Sequence, residues 1–464
     1  MKNKTISDFL NYLASDLFVK GFLFISLPLL SRVMSPEEYG KLSLINAAIM
    51  ILFVFLSLNI QNAVSNRYMR SSADFGSYLF SNIAFILPIQ VVLISISPFY
   101  LPYLSGVFNL SERDVFFVLL ICSLLSIFYT YTSYLQASRQ SKDFSLINII
   151  TKVSEVILLF LFAIYLSNNQ YLSKIYAQSI IVLLSLLYVA PKLYQLLTFR
   201  FKFSYVKEAL YFSIPLLPHV LANSLLAQVD RLIIDDQLGT AATGIYSFSY
   251  NLSMAIVVIV MAWNSSWQPR LYKLIEDGDK DKISKVSKSS TLILLILSIF
   301  TMLYTQEIVV IFSSSDYYNS IKIIPIIIIG NALIHIYLTY ANFVFYEKKT
   351  IFISLATLLA LIVNVVFNIL FIPIYGIEGA AWATVIAYVC MCLSHYLLST
   401  YVLNLNFLSI KLFVFYIVGL LFSYIVFVQL EQIMSYWIML AFKVSLTAIV
   451  LFLLWKKKNS LEFG

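Results

Sequence analysis

Ile323 to Gly330 reads IIPIIIIG, and Thr291 to Phe300 reads TLILLILSIF. Neither stretch alternates apolar with polar residues, as the strands of a membrane barrel would. Both lie inside longer apolar runs, and such runs recur about every 33 residues through the 464-residue chain. A hydrocarbon core about 30 Å thick is crossed by about 20 apolar helical residues. About fourteen runs are long enough: near 10–31, 41–64, 78–101, 114–136, 145–166, 171–190, 208–234, 242–267, 289–312, 321–346, 350–372, 378–402, 409–430 and 433–455. In lipid a spanning segment must satisfy its own backbone hydrogen bonds, which continuous apolar runs do as helices. The expected fold is an all-α polytopic membrane protein, with almost no chain left for a soluble domain.

Composition agrees. Hydrophobic residues make up 61% and charged residues 12% of the chain, against about 25% charged in soluble domains. Cys122, Cys390 and Cys392 all fall in apolar runs, so no disulfide framework and no metal set is expected. The first apolar run lacks a small-residue cleavage site and reads as a permanent span. The formal charge of +8 could suggest nucleic acid, but its distribution follows membrane topology instead. With the N-terminus in the cytoplasm, about 22 Lys and Arg fall on inner segments and about six on outer ones. Inner residues include Lys2, Lys4, Arg139, Lys348, Lys349 and the run Lys456 to Lys458; outer ones include Lys41, Arg113, Lys174 and Lys322. This is the positive-inside bias, and it places both termini in the cytoplasm. The expected outer loops are too short to hold the catalytic groups of an enzyme acting on an extracellular polymer.

Two stretches echo one another. Leu29 to Leu44 is LLSRVMSPEEYGKLSL, and Gln228 to Phe248 is QVDRLIIDDQLGTAATGIYSF. Each ends an apolar helix with an Arg (Arg32, Arg231). Each continues through an acidic turn (Glu37 and Glu38; Asp235 and Asp236) to a Gly opening the next helix (Gly40, Gly244). Asn62 to Tyr68 (NAVSNRY) loosely matches Asn264 to Tyr272 (NSSWQPRLY). Six spans separate the copies, so they share one orientation, and a parallel repeat of two six-helix halves about a cavity is expected.

The stretches SRVMSPEEYG (Ser31 to Gly40), VDRLIIDDQLGTAATGIYSFSY (Val229 to Tyr250) and AWNSSWQPRLY (Ala262 to Tyr272) resemble the Wzx-type polysaccharide (O-antigen) flippases. These belong to the multidrug/oligosaccharidyl-lipid/polysaccharide (MOP) exporter superfamily. The resemblance implies an N-terminal bundle over residues 1–200, a second bundle over 201–405 and an accessory pair with a cytoplasmic tail over 406–464. It implies a lumen opening alternately to each side of the cytoplasmic membrane. The implied cargo is a polyprenyl-pyrophosphate-linked oligosaccharide for surface polysaccharide. A polymerase and glycosyltransferases would then act on the same cargo. Coupling to protons or sodium is allowed by the resemblance.

Ionisable residues inside spans are costly and point to function. A pyrophosphate needs cations, and Arg and Lys bind its oxygens as a fork or a point charge. The expected substrate-binding set is Lys20, Arg32, Arg67, Lys152, Arg231 and Arg270. Blander readings stand beside it. Lys20 could pair with Asp16, Lys152 with Glu155, and Arg231 with Asp230, Asp235 or Asp236. Arg67 and Arg270 could anchor inner helix ends, and Lys443 could snorkel from a lipid face. Asp16, Glu155 and Asp230 are the ion-coupling candidates, since a carboxylate in low dielectric can take up and release a proton. His219, His335 and His395 are expected to bridge helices. Pro215 and Pro218 mark a hinge near the start of the seventh run.

Three functions compete. A lipid-linked oligosaccharide flippase fits the cationic spans. A multidrug antiporter of the same superfamily would want an acidic, aromatic cavity. A membrane-embedded polymerase would want a large outer loop or a His/Asp motif. No phosphate-binding loop is present, so ATP hydrolysis by this chain is not expected.

Overall fold

The computed structural model describes residues 2–405 and 407–456. Lys457 and Lys458, part of the basic run read as a cytoplasmic end, lie outside the described residues. No strand occurs among the described residues. Fourteen helices are long and apolar enough to cross a membrane. They are spans 1 to 14: Ala14–Val33, Pro36–Ser57, Phe75–Ser95, Glu112–Ala137, Ser141–Tyr165, Leu172–Leu196, Phe203–Leu238, Thr240–Glu276, Lys280–Leu303, Ser320–Tyr346, Ile351–Tyr375, Ile377–Val402, Ile410–Ile433 and Tyr436–Leu453. The all-α, multi-span reading holds.

Local chemistry sets several ends. Ser35 caps span 2 by accepting the Glu38 N–H, Pro36 opens the first turn, and Glu37 and Glu38 face the positive end of the helix dipole. Ser111 caps span 4 in the same way through the Asp114 N–H. Span 2 stops earlier than its apolar run suggests. Leu58 and Asn59 both take left-handed backbone angles, and a separate helix, Ile60–Arg70, begins beyond them.

Span 7 carries a break that hydropathy does not show. A straight 36-residue helix would be about 54 Å long. Instead the helix Phe203–Ser213 passes through a tight turn, Ile214–Leu216, into Leu217–Leu238. Pro215 sits in the turn and Pro218 in the first turn of the next helix, where neither proline's missing N–H costs a helical bond. The break therefore lies within the span rather than at its start. Span 9 likewise ends at Leu303, and a short helix, Thr305–Phe312, follows.

The chain forms two compact units, Met1–Ser247 and Phe248–Gly464. In the first, Leu44, Ile45 and Ala48 of span 2 pack with Val115, Val118 and Cys122 of span 4 and Val182 of span 6. Its repeat copies meet physically. Gly40 lies against the Thr240 carbonyl and Gly244 against the Pro36 carbonyl, so a Cβ at either would strike backbone. One turn on, the Ser43 and Ser247 hydroxyls are 2.7 Å apart, buried, and 204 residues apart in sequence. The sequence echo is thus a quasi-symmetric crossing of span 2 with the start of span 8, made close by small residues. In the second unit, span 10 is the centre. Its isoleucine-rich run is buried from Ile323 through Ile336, with spans 9, 12 and 13 around it.

Candidate functional site: charged clusters within the spans

The first unit holds an ion cluster on spans 5 and 6. Lys152 and Glu155 are one helical turn apart and so share a face. Lys152 Nζ lies 3.1 Å from Glu155 Oε2, and Lys174 Nζ lies 2.5 Å from Oε1. Glu155 is 9% exposed and Lys174 is 11% exposed. Two ammonium groups on one carboxylate leave one net positive charge. A small cavity of about 20 Å³ adjoins them, lined by Tyr129 of span 4, Thr151 of span 5 and Gln178 and Ser185 of span 6. The Gln178 Oε1 is buried without a hydrogen-bond partner. The run at 171–190 holds Lys174, counted there among the outer-side charges. It stands on the first turn of span 6, and its ammonium reaches Glu155, a pairing hidden in sequence by the intervening turn.

A second cluster lies where the helix Ile60–Arg70 meets the start of span 7. The Arg67 guanidinium donates to the Ala73 carbonyl at 3.1 Å and approaches Glu208 at 3.6 Å. It also lies over the rings of Tyr78 and Tyr205. Beside it, between the spans, Asp74 accepts from Lys202 at 2.6 Å, from Tyr205 at 2.7 Å and from Ser77 at 2.6 Å. Lys202, followed by Ser77 and Tyr205, holds the Asp74 carboxyl well below the usual range. Asp74 in turn raises Lys202.

The third cluster surrounds the end of span 7. Asp230 is buried, accepts from the Tyr246 hydroxyl at 2.5 Å and lies 3.8 Å from Arg231. Its Oδ1 has no hydrogen-bond partner. Arg231 is buried and donates to the Ala227 carbonyl. Asp235 accepts from Asn109 at 2.7 Å, while Asp236 is exposed. Nearby, Glu38 accepts the Tyr171 N–H at 2.8 Å, and the Tyr171 hydroxyl donates to Asp114.

The other expected residues are placed as follows. Lys20 forms a one-turn ion pair with Asp16 at 2.7 Å, with both side chains partly exposed. Arg32 is exposed at the end of span 1. Arg270 is half-buried in the last part of span 8. Within the first unit, Lys20, Lys152, Arg67 and Arg231 each therefore meet an acidic residue.

The second unit holds a pairing that the sequence did not signal. Lys443 of span 14 is completely buried, and its Nζ lies 2.9 Å from both carboxylate oxygens of Glu307 in the helix Thr305–Phe312. The ammonium faces the Phe427 ring. A snorkelling Lys443 is excluded by this burial. Asn342 donates to Asn264 at 2.8 Å and accepts from Gln268 at 3.2 Å, linking spans 8 and 10. His335 bonds Thr291 across spans 10 and 9 at 3.0 Å, as expected for a bridging histidine. His395 bonds the Met391 carbonyl within its own helix, and in the first unit His219 bonds Asn223. No group of three His, Cys, Asp or Glu that could hold a metal ion occurs among the described residues.

Residues 6–275 match the family described as "Polysaccharide biosynthesis protein". The chain belongs to the polysaccharide biosynthesis protein family. Residues 215–370 of this family member also match the family MatE. A Haemophilus influenzae relative named "Uncharacterized membrane protein" is 22% identical over 395 residues, covering 81% of this chain and 94% of the relative. Among solved structures, the Lipid II flippase MurJ in an inward closed conformation superposes with a TM-score of 0.75. It is 15% identical, over 97% of this chain and 99% of that one. A multidrug resistance MATE family transporter of the MOP superfamily, in an inward-facing conformation, gives a TM-score of 0.60. It is 11% identical, over 90% and 96% of the two chains. This polysaccharide biosynthesis protein thus has the fold of the MOP superfamily and is a multi-pass membrane protein.

Proposed function

We propose that the protein is a flippase moving a polyprenyl-pyrophosphate-linked oligosaccharide from the inner to the outer leaflet of the cytoplasmic membrane. The observation that carries this reading is a surplus of positive charge inside the spans of a polysaccharide biosynthesis protein: two lysines on one carboxylate between spans 5 and 6. A buried anionic cargo is tolerable only where cations meet it. The bundles over residues 1–200 and 201–405 rock about the cargo, and spans 13 and 14 guide the lipid tail. Lys20, Lys152 and Arg67 receive the headgroup, Arg32 and Arg231 stand towards the outer exit, and Arg270 marks the inner end of span 8. The break at Pro215 and Pro218 is the hinge. Asp230, buried with one oxygen that accepts no hydrogen bond, and Glu155 and Asp16 are the carboxylates that could couple movement to protons or sodium. The cycle is driven only by different affinities for the two states.

The MatE match over residues 215–370 favours a second reading, a multidrug-type cation antiporter. Gene deletion separates the two. The flippase reading expects loss of surface polysaccharide with lipid-linked repeat units accumulating inside. Intact surface glycan with altered drug sensitivity would favour the antiporter. A complementing Lys20→Ala variant that fails where Lys20→Arg succeeds would place a required positive charge on span 1.

A further inference from the structure

One lysine is enough to neutralise Glu155, yet two converge on it. Lys152 comes from its own helix and Lys174 from span 6, at 3.1 and 2.5 Å. The surplus positive charge has no matching anion among these three groups. Beside them Gln178, only 6% exposed, lines the cavity with its Oε1 unpartnered. A buried acceptor without a donor is costly, so this oxygen calls for an O–H or N–H that the protein does not supply. The cavity itself, about 20 Å³, has room for about one water. Lys152 and Glu155 line it together with Gln178.

We infer that Glu155 is a built-in stand-in for an anionic group of the cargo. Lys152 and Lys174 are its subsite, and Gln178 accepts from a neighbouring hydroxyl. The inference rests on the reading of the cargo as an anionic lipid-linked glycan. The chemistry recognised is an oxyanion beside a hydroxyl, which a sugar phosphate or an acidic sugar carboxylate each supplies. Arrival of that group turns Glu155 out of the lysine pair; departure lets it return. The trade keeps both lysines paired in the empty protein. It also makes every bound anion compete with a tethered carboxylate, which favours release.

The test uses the full-length protein in lipid nanodiscs, with α-D-glucose 1-phosphate and D-glucuronate as separate probes in calorimetry. Glu155→Gln removes the competing charge, so at least one probe should bind about tenfold or more tightly than to wild type. Lys174→Gln should weaken the same probe about tenfold or more. Infrared difference spectra of wild type alone should show a protein carboxylate band shift on binding, with glucuronate carrying a 13C-labelled carboxylate so that its own band lies elsewhere; this readout needs no variant. A response to the phosphate alone assigns the subsite to a phosphate group, and a response to glucuronate alone assigns it to an acidic sugar. No binding of either probe, equal or weaker binding by Glu155→Gln, or no band shift at saturation overturns the inference. If wild type moves lipid-linked glycan in liposomes while these tests fail, the stand-in alone is wrong. If the exchange is seen in a protein that moves no lipid-linked glycan, the subsite stands and the proposed cargo falls.

Discussion

Lys443 is the residue whose environment departs most from its sequence context. Its neighbours in the chain are apolar, so snorkelling was the natural expectation, but its partner Glu307 lies 136 residues away. No local pattern reports such a pair, and the same is true of Lys174 with Glu155. Removing one partner of a buried pair leaves an unpaired charge, at a cost of about 3–5 kcal/mol. Lys443→Leu should therefore lower stability by about that much, read as a fall in the thermal midpoint in detergent. Adding Glu307→Leu should restore most of it; equal loss in single and double variants would refute the pairing. Asp74 gives a pH prediction. Its carboxyl is held low by Lys202, Ser77 and Tyr205, so it stabilises the fold at and above neutral pH. That contribution is lost as pH falls below about 4, towards the lowered value. Asp74→Asn should thus be the less stable protein at pH 7, by a modest margin because the site is exposed. The gap should close in acid, and a gap that widens in acid would contradict the assignment.

Elements were legible where hydropathy is enough and obscure where the backbone bends inside an apolar run. All fourteen spans follow from length and composition. The break after Ser57 does not, because Leu58 and Asn59 take left-handed angles inside a continuing helical pattern. Pro215 and Pro218 did signal a bend, though hydropathy misplaced it along span 7. The repeat glycines were legible as an echo, but their mutual contact was not, since sequence gives no distance between copies. Gly244→Ala puts two principles in opposition. Helix propensity alone would stabilise by about 1 kcal/mol. A methyl group against the Pro36 carbonyl should cost about 1–3 kcal/mol. The crossing predicts a net loss in thermal stability for Gly244→Ala and for Gly40→Ala. A stabilised Gly244→Ala would show that the two helices do not meet so closely.

At the scale of the whole molecule, the fold could be read because membrane helices advertise themselves, and the family because three stretches, Ser31 to Gly40, Val229 to Tyr250 and Ala262 to Tyr272, carry its resemblance. The candidate site was only partly visible. Lys152 and Glu155 stand out as charges in an apolar run, whereas Gln178 is an ordinary polar residue whose unpartnered oxygen exists only in three dimensions. Which glycan is carried depends on the shape and hydroxyl pattern of a cargo that no residue count encodes. The central claim is that this protein moves an anionic lipid-linked glycan. The most direct measurement is reconstitution in liposomes containing a polyprenyl-pyrophosphate-linked oligosaccharide, following protection of the glycan from an external glycan-cleaving enzyme over time. The account predicts protein-dependent exchange between leaflets that is lost in the Lys152→Ala/Lys174→Ala double variant. No exchange under any proton or sodium gradient, with transport of a lipophilic cation in its place, would contradict it.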